Sequence, residues 1–104
     1  LMALEEIAIA LLKNSSEILS ENKKDLEAAN KNNLSSAMID RLTLTEKSVQ
    51  NLAQMCRDVA NQEQVVGTVV EEYTRPNGLV IQKQRIPLGV IGMIFESRPN
   101  VVVD

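Results

Sequence analysis

The spacing of apolar residues changes abruptly after Gly67, and this change limits the folds open to the chain more than any other feature. Before Gly67, Ala, Leu and Glu are common and apolar residues recur every three or four positions, as on amphipathic helices. After it, Val, Ile and Gly dominate, which is typical of strands. The order favours an α/β fold: residues 1–67 form helices, 68–86 a β-hairpin, and 87–104 a first sheet strand with a loop.

Four helical stretches are predicted before Gly67. The first has an apolar stripe from Leu4 to Leu19, the second runs from about Asn22 to Lys31, and a short third spans Ser35 to Leu42. Thr43-Leu44-Thr45-Glu46 has the Thr-x-x-Glu spacing of a capping box, so a fourth helix is expected from there to about Ala60. Cys56 lies on the apolar stripe of that helix, away from its N-terminus, which favours a structural role over a catalytic one.

Residues 68–86 have the pattern of two strands joined by a tight turn. Thr68–Thr74 is the first strand and Leu79–Ile86 the second. Between them stands Arg75-Pro76-Asn77-Gly78, in which Asn-Gly supplies the positive φ values that a tight reversal requires. Neither face of the second strand is cleanly apolar. We therefore expect the hairpin to project from the domain and to be buried against a partner.

A continuous apolar run, interrupted by Gly89 and Gly92, spans Leu88 to Phe95. Such a run predicts a strand that helices cover on both faces. The polar loop Glu96–Asn100 follows directly. In open parallel sheets, ligands bind beyond the carboxyl ends of the strands, so this loop is the candidate site.

The residues of this loop alone leave two interpretations open. In the first, the Arg98 guanidinium binds phosphate or carboxylate, while Ser97 and Asn100 donate to a phosphate, a ribose hydroxyl or an acyl-transfer oxyanion. In the second, Arg98 pairs with Glu96 or another carboxylate. Asn100 then caps a helix that begins near Val101.

Composition argues against several classes of function. A net charge of -3 and a pI of about 5.0 disfavour nucleic acid as a partner, because phosphate binding needs clustered Lys and Arg. The chain has no His, the commonest metal ligand, and we expect no metal site. No stretch approaches the roughly 20 apolar residues of a membrane span. A single cysteine allows no internal disulfide, so a cytoplasmic location is expected.

The first residues fall partway into an amphipathic pattern, and the last fall where a helix is expected to begin. We therefore expect the sequence to be a piece of a longer polypeptide.

The most distinctive run of the chain is Phe95-Glu96-Ser97-Arg98-Pro99-Asn100, within residues 85–101. This run closely resembles the signature of the γ-glutamyl phosphate reductase family, the glutamate-5-semialdehyde dehydrogenases of the aldehyde dehydrogenase superfamily. Three other segments resemble the same family: Glu21-Asn22-Lys23-Lys24-Asp25-Leu26, Asp40-Arg41-Leu42-Thr43-Leu44-Thr45 and Asn77-Gly78-Leu79. The resemblance covers essentially the whole chain, as an N-terminal part of the family's fold.

The resemblance implies a reaction in proline synthesis, in which NADPH reduces γ-glutamyl phosphate to glutamate 5-semialdehyde and inorganic phosphate. In this family a cysteine thiolate displaces phosphate to form a thioester, and hydride from the nicotinamide then releases the aldehyde. That cysteine lies far downstream of the matched segment, and Cys56 does not correspond to it.

The resemblance also implies roles for residues of the loop. The residues expected on the nicotinamide side of the cofactor are Ile94, Phe95, Glu96 and Ser97. Asn100 is the candidate for stabilising the oxyanion, and Arg98 for binding the substrate's phosphate or carboxylate. The hairpin would belong to a subunit-association element, so the expected partners are the rest of the parent chain and further copies in a homo-oligomer. The isolated chain is expected to be inactive. The alternative hypothesis is that the chain is a non-catalytic association module.

Overall fold

The structure, a computed structural model, describes residues 2–104. In chain order it contains helices α1 (Met2–Lys13), α2 (Ser15–Lys31), α3 (Ser36–Leu42) and α4 (Glu46–Ala60), strands β1 (Val69–Thr74) and β2 (Val80–Gln84), and a 3₁₀ helix (Pro99–Val102). Residues 2–62 with 94–104 form one compact unit, and residues 63–93 form another. The predicted order of helices followed by a hairpin is confirmed, as are the short third helix and the end of the fourth at Ala60.

The first helical stretch is interrupted at Asn14, where the sequence predicted one continuous apolar stripe. Asn14 has φ -102° and ψ 15°. Its side-chain Nδ2 donates to the Ala10 carbonyl oxygen at 2.8 Å, and its backbone N–H donates to the same oxygen at 3.0 Å. Such local side-chain bonds compete with the helical ladder. The predicted start of the second helix at Asn22 is wrong, because α2 begins at Ser15.

The N-cap of helix α4 lies two residues later in the chain than the Thr43 that the sequence predicted. Its N-cap is Thr45, whose hydroxyl accepts from the Ser48 N–H at 3.1 Å, while the Ser48 hydroxyl accepts from the Thr45 N–H at 3.2 Å. The Thr43 hydroxyl instead donates to the Ile39 carbonyl at 2.7 Å, at the end of α3. The predicted pairing of Thr43 with Glu46 is therefore wrong, although a capping box does start this helix.

The core of the helical unit lies between α1 and α4. Ala8, Ala53 and Cys56 are 0%, 1% and 4% exposed and form one cluster, against which Leu11 and Val103 pack. Small side chains at a helix contact let the two backbones approach closely. The burial of Cys56 confirms its predicted place on the apolar stripe of α4.

Two sets of polar contacts join residues that are distant in sequence. The buried Asn22 side chain donates from Nδ2 to the Leu42 carbonyl at 2.8 Å and accepts at Oδ1 from the Leu44 N–H at 2.9 Å. Arg57 Nε donates to Glu5 Oε1 at 3.1 Å. The ion pair is partly exposed and contributes little, whereas the Asn22 contacts are shielded from water and fix the connection between α3 and α4.

The second unit is an antiparallel hairpin in which Tyr73 lies opposite Ile81 and Val70 forms a bulge. Gly78 takes φ 87° in the turn, but Asn77 does not take the predicted positive φ. The Asn77 side chain instead accepts a hydrogen bond from the backbone N–H two residues later, at 3.1 Å. Ile81 is half-buried, and every other residue of this unit is exposed. Both faces of the hairpin therefore present their side chains to solvent.

Candidate functional site

The segment that leads into the candidate loop does not form the predicted strand. No strand lies between β2 and the 3₁₀ helix, and the apolar residues Leu88, Val90 and Ile94 are 88%, 103% and 102% exposed. A strand is held by hydrogen bonds to a neighbour, and the two strands within residues 2–104 pair with each other. The buried strand predicted over Leu88–Phe95 is therefore absent from the described residues. The candidate site is not defined by the end of a sheet strand, contrary to what the sequence predicted.

Two backbone features shape the loop itself. Ser97 has φ 56°, in the left-handed region that residues other than glycine rarely adopt. The 3₁₀ helix follows, with Pro99 in its first turn and the Arg98 carbonyl accepting from the Val101 N–H at 3.0 Å. A left-handed residue costs roughly 1–2 kcal/mol, so the packing of the residues after Ser97 must hold the loop in this shape.

Arg98 and Asn100 differ in how far their side chains are fixed. Arg98 is exposed, and the ion pairs found between described residues do not include it. Asn100 is half-buried, and its Nδ2 donates to Asp104 Oδ2 at 3.2 Å. Arg98 therefore forms no pair with Glu96 in this structure. Asn100 is not a cap either, since it lies inside the 3₁₀ helix, whose N-cap position is Arg98.

The four residues predicted to face the cofactor lie just before the 3₁₀ helix. Ile94, Phe95 and Glu96 are exposed, and Ser97 is half-buried. None of them lines the three cavities bordered by Pro99 or Asn100. Within the described residues, the structure thus brings Asn100, but not these four, against the helices.

Asn100 borders a cavity of about 250 Å³ at the start of α4. The polar side chains around this cavity are those of Thr43, Ser48, Asn51 and Asn100. Both hydroxyl groups are already engaged, since Thr43 donates to a carbonyl of α3 and Ser48 completes the capping box. The amides of Asn51 and Asn100 are therefore the side chains of this cavity that have donors to offer a ligand.

Pro99 is the point at which the loop meets the helices. It borders a cavity of about 370 Å³ together with Asn22 and Leu44, and a second of about 220 Å³ together with Leu44 and Val103. The sequence analysis gave Asn22 no structural role. Its burial could have been predicted, because Asn22 continues the helical spacing of the apolar positions on α2. A polar residue on such a stripe is buried with its hydrogen bonds satisfied.

The charges near the loop are unevenly distributed. Glu17, Glu21 and Asp25 line the first Pro99 cavity. Glu21 raises the pKa of Lys24 above its ordinary value of 10.5, first through their hydrogen bond and then through its charge. An anionic ligand would be repelled by these carboxylates, so Arg98, exposed at the start of the 3₁₀ helix, is the favourable contact for an anion.

Within residues 2–104, no group of three or more cysteine or acidic side chains is arranged to hold a metal ion. No helix in this part of the chain combines the length and the apolar character that crossing a membrane requires.

Comparisons with known proteins place these features in a family. No protein-family model matches the chain. γ-Glutamyl phosphate reductase from Nautilia profundicola is 54% identical over 101 residues, which is 97% of this chain and 25% of that protein. The same enzyme from Anoxybacillus flavithermus is 48% identical over 102 residues, again 25% of its length.

A solved structure agrees with these relatives. The crystal structure of γ-glutamyl phosphate reductase from Thermotoga maritima matches with a TM-score of 0.86 and 38% identity, over 97% of this chain and 24% of that one. The chain thus spans about a quarter of the length of the relatives that it matches. In sequence and in fold, nearly the whole chain is related to the N-terminal part of the γ-glutamyl phosphate reductases.

Proposed function

We propose that this sequence forms the N-terminal part of a reductase that converts γ-glutamyl phosphate to glutamate 5-semialdehyde and inorganic phosphate, with NADPH as the hydride donor. The observation that carries the proposal is the 54% identity to γ-glutamyl phosphate reductase over 97% of the chain. In this reaction a thiolate displaces phosphate from the acyl group, and hydride addition to the thioester then releases the aldehyde and the thiolate.

The thiolate would come from outside this sequence. Cys56 is 4% exposed, packs between α1 and α4 and lies mid-helix, so its buried thiol lacks the exposure of a reactive one. The nucleophile would therefore lie in a part of the parent protein that this sequence does not include, since the chain covers 25% of its relative.

Arg98 is proposed to bind the phosphate or the carboxylate of the substrate. Its exposed guanidinium presents a planar set of donors that matches either group in a two-point contact. Because its ion-pairing capacity is not used within the described residues, binding such an anion would not require an existing pair to be broken.

Asn100 is proposed to stabilise the oxyanion. Its amide carries two N–H groups, and the bond to Asp104 uses one of them. That bond leaves the second N–H free to donate to an oxygen that gains charge in the transition state.

The residues that precede these two are proposed to contact the nicotinamide of NADPH. Ile94 and Phe95 expose apolar side chains, and burial of such surface against a flat ring would favour binding. Glu96 and Ser97 complete this segment. The proposal of NADPH rather than NADH follows from the family resemblance.

The hairpin is proposed to mediate association with other copies in a homo-oligomer, and the exposed run before the loop to contact the remainder of the parent chain. Val69, Tyr73 and Val80 are 46%, 45% and 53% exposed on the hairpin. Exposed apolar residues of this kind also favour the second candidate function, a non-catalytic association module.

The full-length protein that contains this sequence tests the proposal. With glutamate 5-semialdehyde, phosphate and NADP⁺, it should catalyse the reverse reaction, followed by the formation of NADPH; with NAD⁺ in place of NADP⁺ the rate should be lower. Arg98→Ala should raise KM for the substrate or phosphate, and Asn100→Ala should lower kcat by roughly 10²–10³, as for loss of one oxyanion donor.

Lys31→Ala is a matched control, because Lys31 is exposed at the end of α2, forms none of the ion pairs found between described residues and borders none of the cavities that contain Pro99 or Asn100. It should leave both constants unchanged. Absence of activity in the wild-type protein would favour the association module. Wild-type kinetics in both loop variants would refute the roles of Arg98 and Asn100 while leaving the reaction intact.

A further inference from the structure

Asn22 is the one buried residue with a polar side chain among residues 2–104, at 5% exposure. It lies inside α2, where asparagine is a poor helix former. Both ends of its amide are used, by the Leu42 carbonyl at 2.8 Å and the Leu44 N–H at 2.9 Å. Asn22 therefore fixes the backbone of a connection that has no regular structure of its own.

That connection bears directly on the candidate loop. The N–H of Leu44 donates to the Asn22 side chain. Leu44 is half-buried and borders both of the cavities that Pro99 also borders. Asn22 itself borders the first of these cavities. Pro99 has a fixed φ and stands between the two residues proposed to act on substrate, so a displacement of its ring moves both of them.

The backbone conformation of the loop must also be stabilised by residues outside the loop. Ser97 holds a left-handed conformation that its own residue type disfavours. The residues after it must therefore be kept in place by packing. Leu44 lines two cavities together with Pro99, and its N–H is held by the side chain of Asn22.

We propose that Asn22 is a positioning residue for the substrate loop, acting through Leu44 and Pro99 on Arg98 and Asn100. This inference rests on the function proposed for the loop. It assigns Asn22 a role in substrate binding and turnover beyond its role in holding α2 to the α3–α4 connection.

The test uses the full-length protein and two substitutions on α2. Asn22→Leu removes both hydrogen bonds and keeps the number and branching of the side-chain heavy atoms. Leu26→Ala is the matched control, because Leu26 is half-buried on the same helix but borders neither cavity that contains Pro99. For each variant, the melting temperature, kcat, and KM for glutamate 5-semialdehyde and phosphate are measured below the onset of unfolding.

We expect Asn22→Leu to lower kcat/KM by roughly tenfold to a hundredfold, the range for a displacement of about 1 Å in a positioned group. Leu26→Ala should lower the melting temperature while leaving kcat/KM near the wild-type value. Asn22→Ala removes the same two hydrogen bonds without adding bulk or charge. It should lower kcat/KM as Asn22→Leu does, and it replaces Asn22→Leu in the test if that variant does not fold.

Wild-type kcat/KM in Asn22→Leu, or in Asn22→Ala if that variant alone folds, would overturn the inference. Equal losses in kcat/KM for the Asn22 variants and Leu26→Ala would do the same, because the effect would then follow stability. These failures are distinct from failure of the proposed loop function, which would appear as wild-type kinetics in Arg98→Ala and Asn100→Ala.

Discussion

Replacement of Thr45 by alanine should weaken the start of α4 more than the same change at Thr43. The Thr45 hydroxyl accepts from the Ser48 N–H at 3.1 Å and lies 2.9 Å from the Ser48 hydroxyl, so Thr45→Ala removes both contacts and leaves an N–H of the first turn without its partner. Loss of such a cap costs about 1 kcal/mol, within a range of about 0.5–2 kcal/mol. Both residues are exposed, so a change in buried surface does not complicate the comparison.

The Thr43 substitution is a close control for this effect. Its hydroxyl donates to the Ile39 carbonyl, which already accepts from the Thr43 N–H at 3.0 Å, so Thr43→Ala leaves that carbonyl with a partner. We expect a cost below about 0.5 kcal/mol, as for an ordinary surface substitution. Urea unfolding followed by far-ultraviolet circular dichroism gives both values. A larger loss of unfolding free energy for Thr43→Ala than for Thr45→Ala would refute this assignment of the cap.

Two further predictions concern Cys56 and Gly78. The Cys56 thiol should react with iodoacetamide at least about tenfold more slowly in the folded protein than in urea, because an opening free energy of about 1.4 kcal/mol already gives that factor; equal rates would show that the α1–α4 contact does not protect it. Gly78→Ala should lower the free energy of unfolding of the hairpin by roughly 1–2 kcal/mol, because an alanine at φ 87° is strained although no atom lies close to its Cβ. Unchanged amide hydrogen exchange in β1 and β2 would contradict this.

The helices and the hairpin could be predicted because their signals are local. Apolar spacing on α4 and the turn residues before Gly78 specify structure within a few positions of themselves. The predictions went wrong where two local signals compete. Thr43 and Thr45 are both credible caps, and the choice depends on Ser48 accepting from the Thr45 N–H. At Asn14 a single side-chain bond decides where one helix stops and the next begins.

The candidate site was harder to predict because it depends on contacts between distant residues. The apolar run Leu88–Phe95 has the composition of a buried strand, but a strand also needs a neighbour, and composition does not report whether one is present. Asn22 was overlooked for a related reason. Its partners lie 20 and 22 positions further along the chain, so no pattern within α2 indicates which groups its amide will meet.

The packing of Val103 against Ala8, Ala53 and Cys56 has a consequence for synthesis on the ribosome. The four helices precede the hairpin in the chain, yet one wall of their core is supplied by a residue that follows the whole hairpin. A contact between such remote positions closes a long loop and forms slowly. During translation, the nascent helices therefore keep an uncovered apolar surface until Val103 leaves the exit tunnel, and in this interval a chaperone would have a surface to hold.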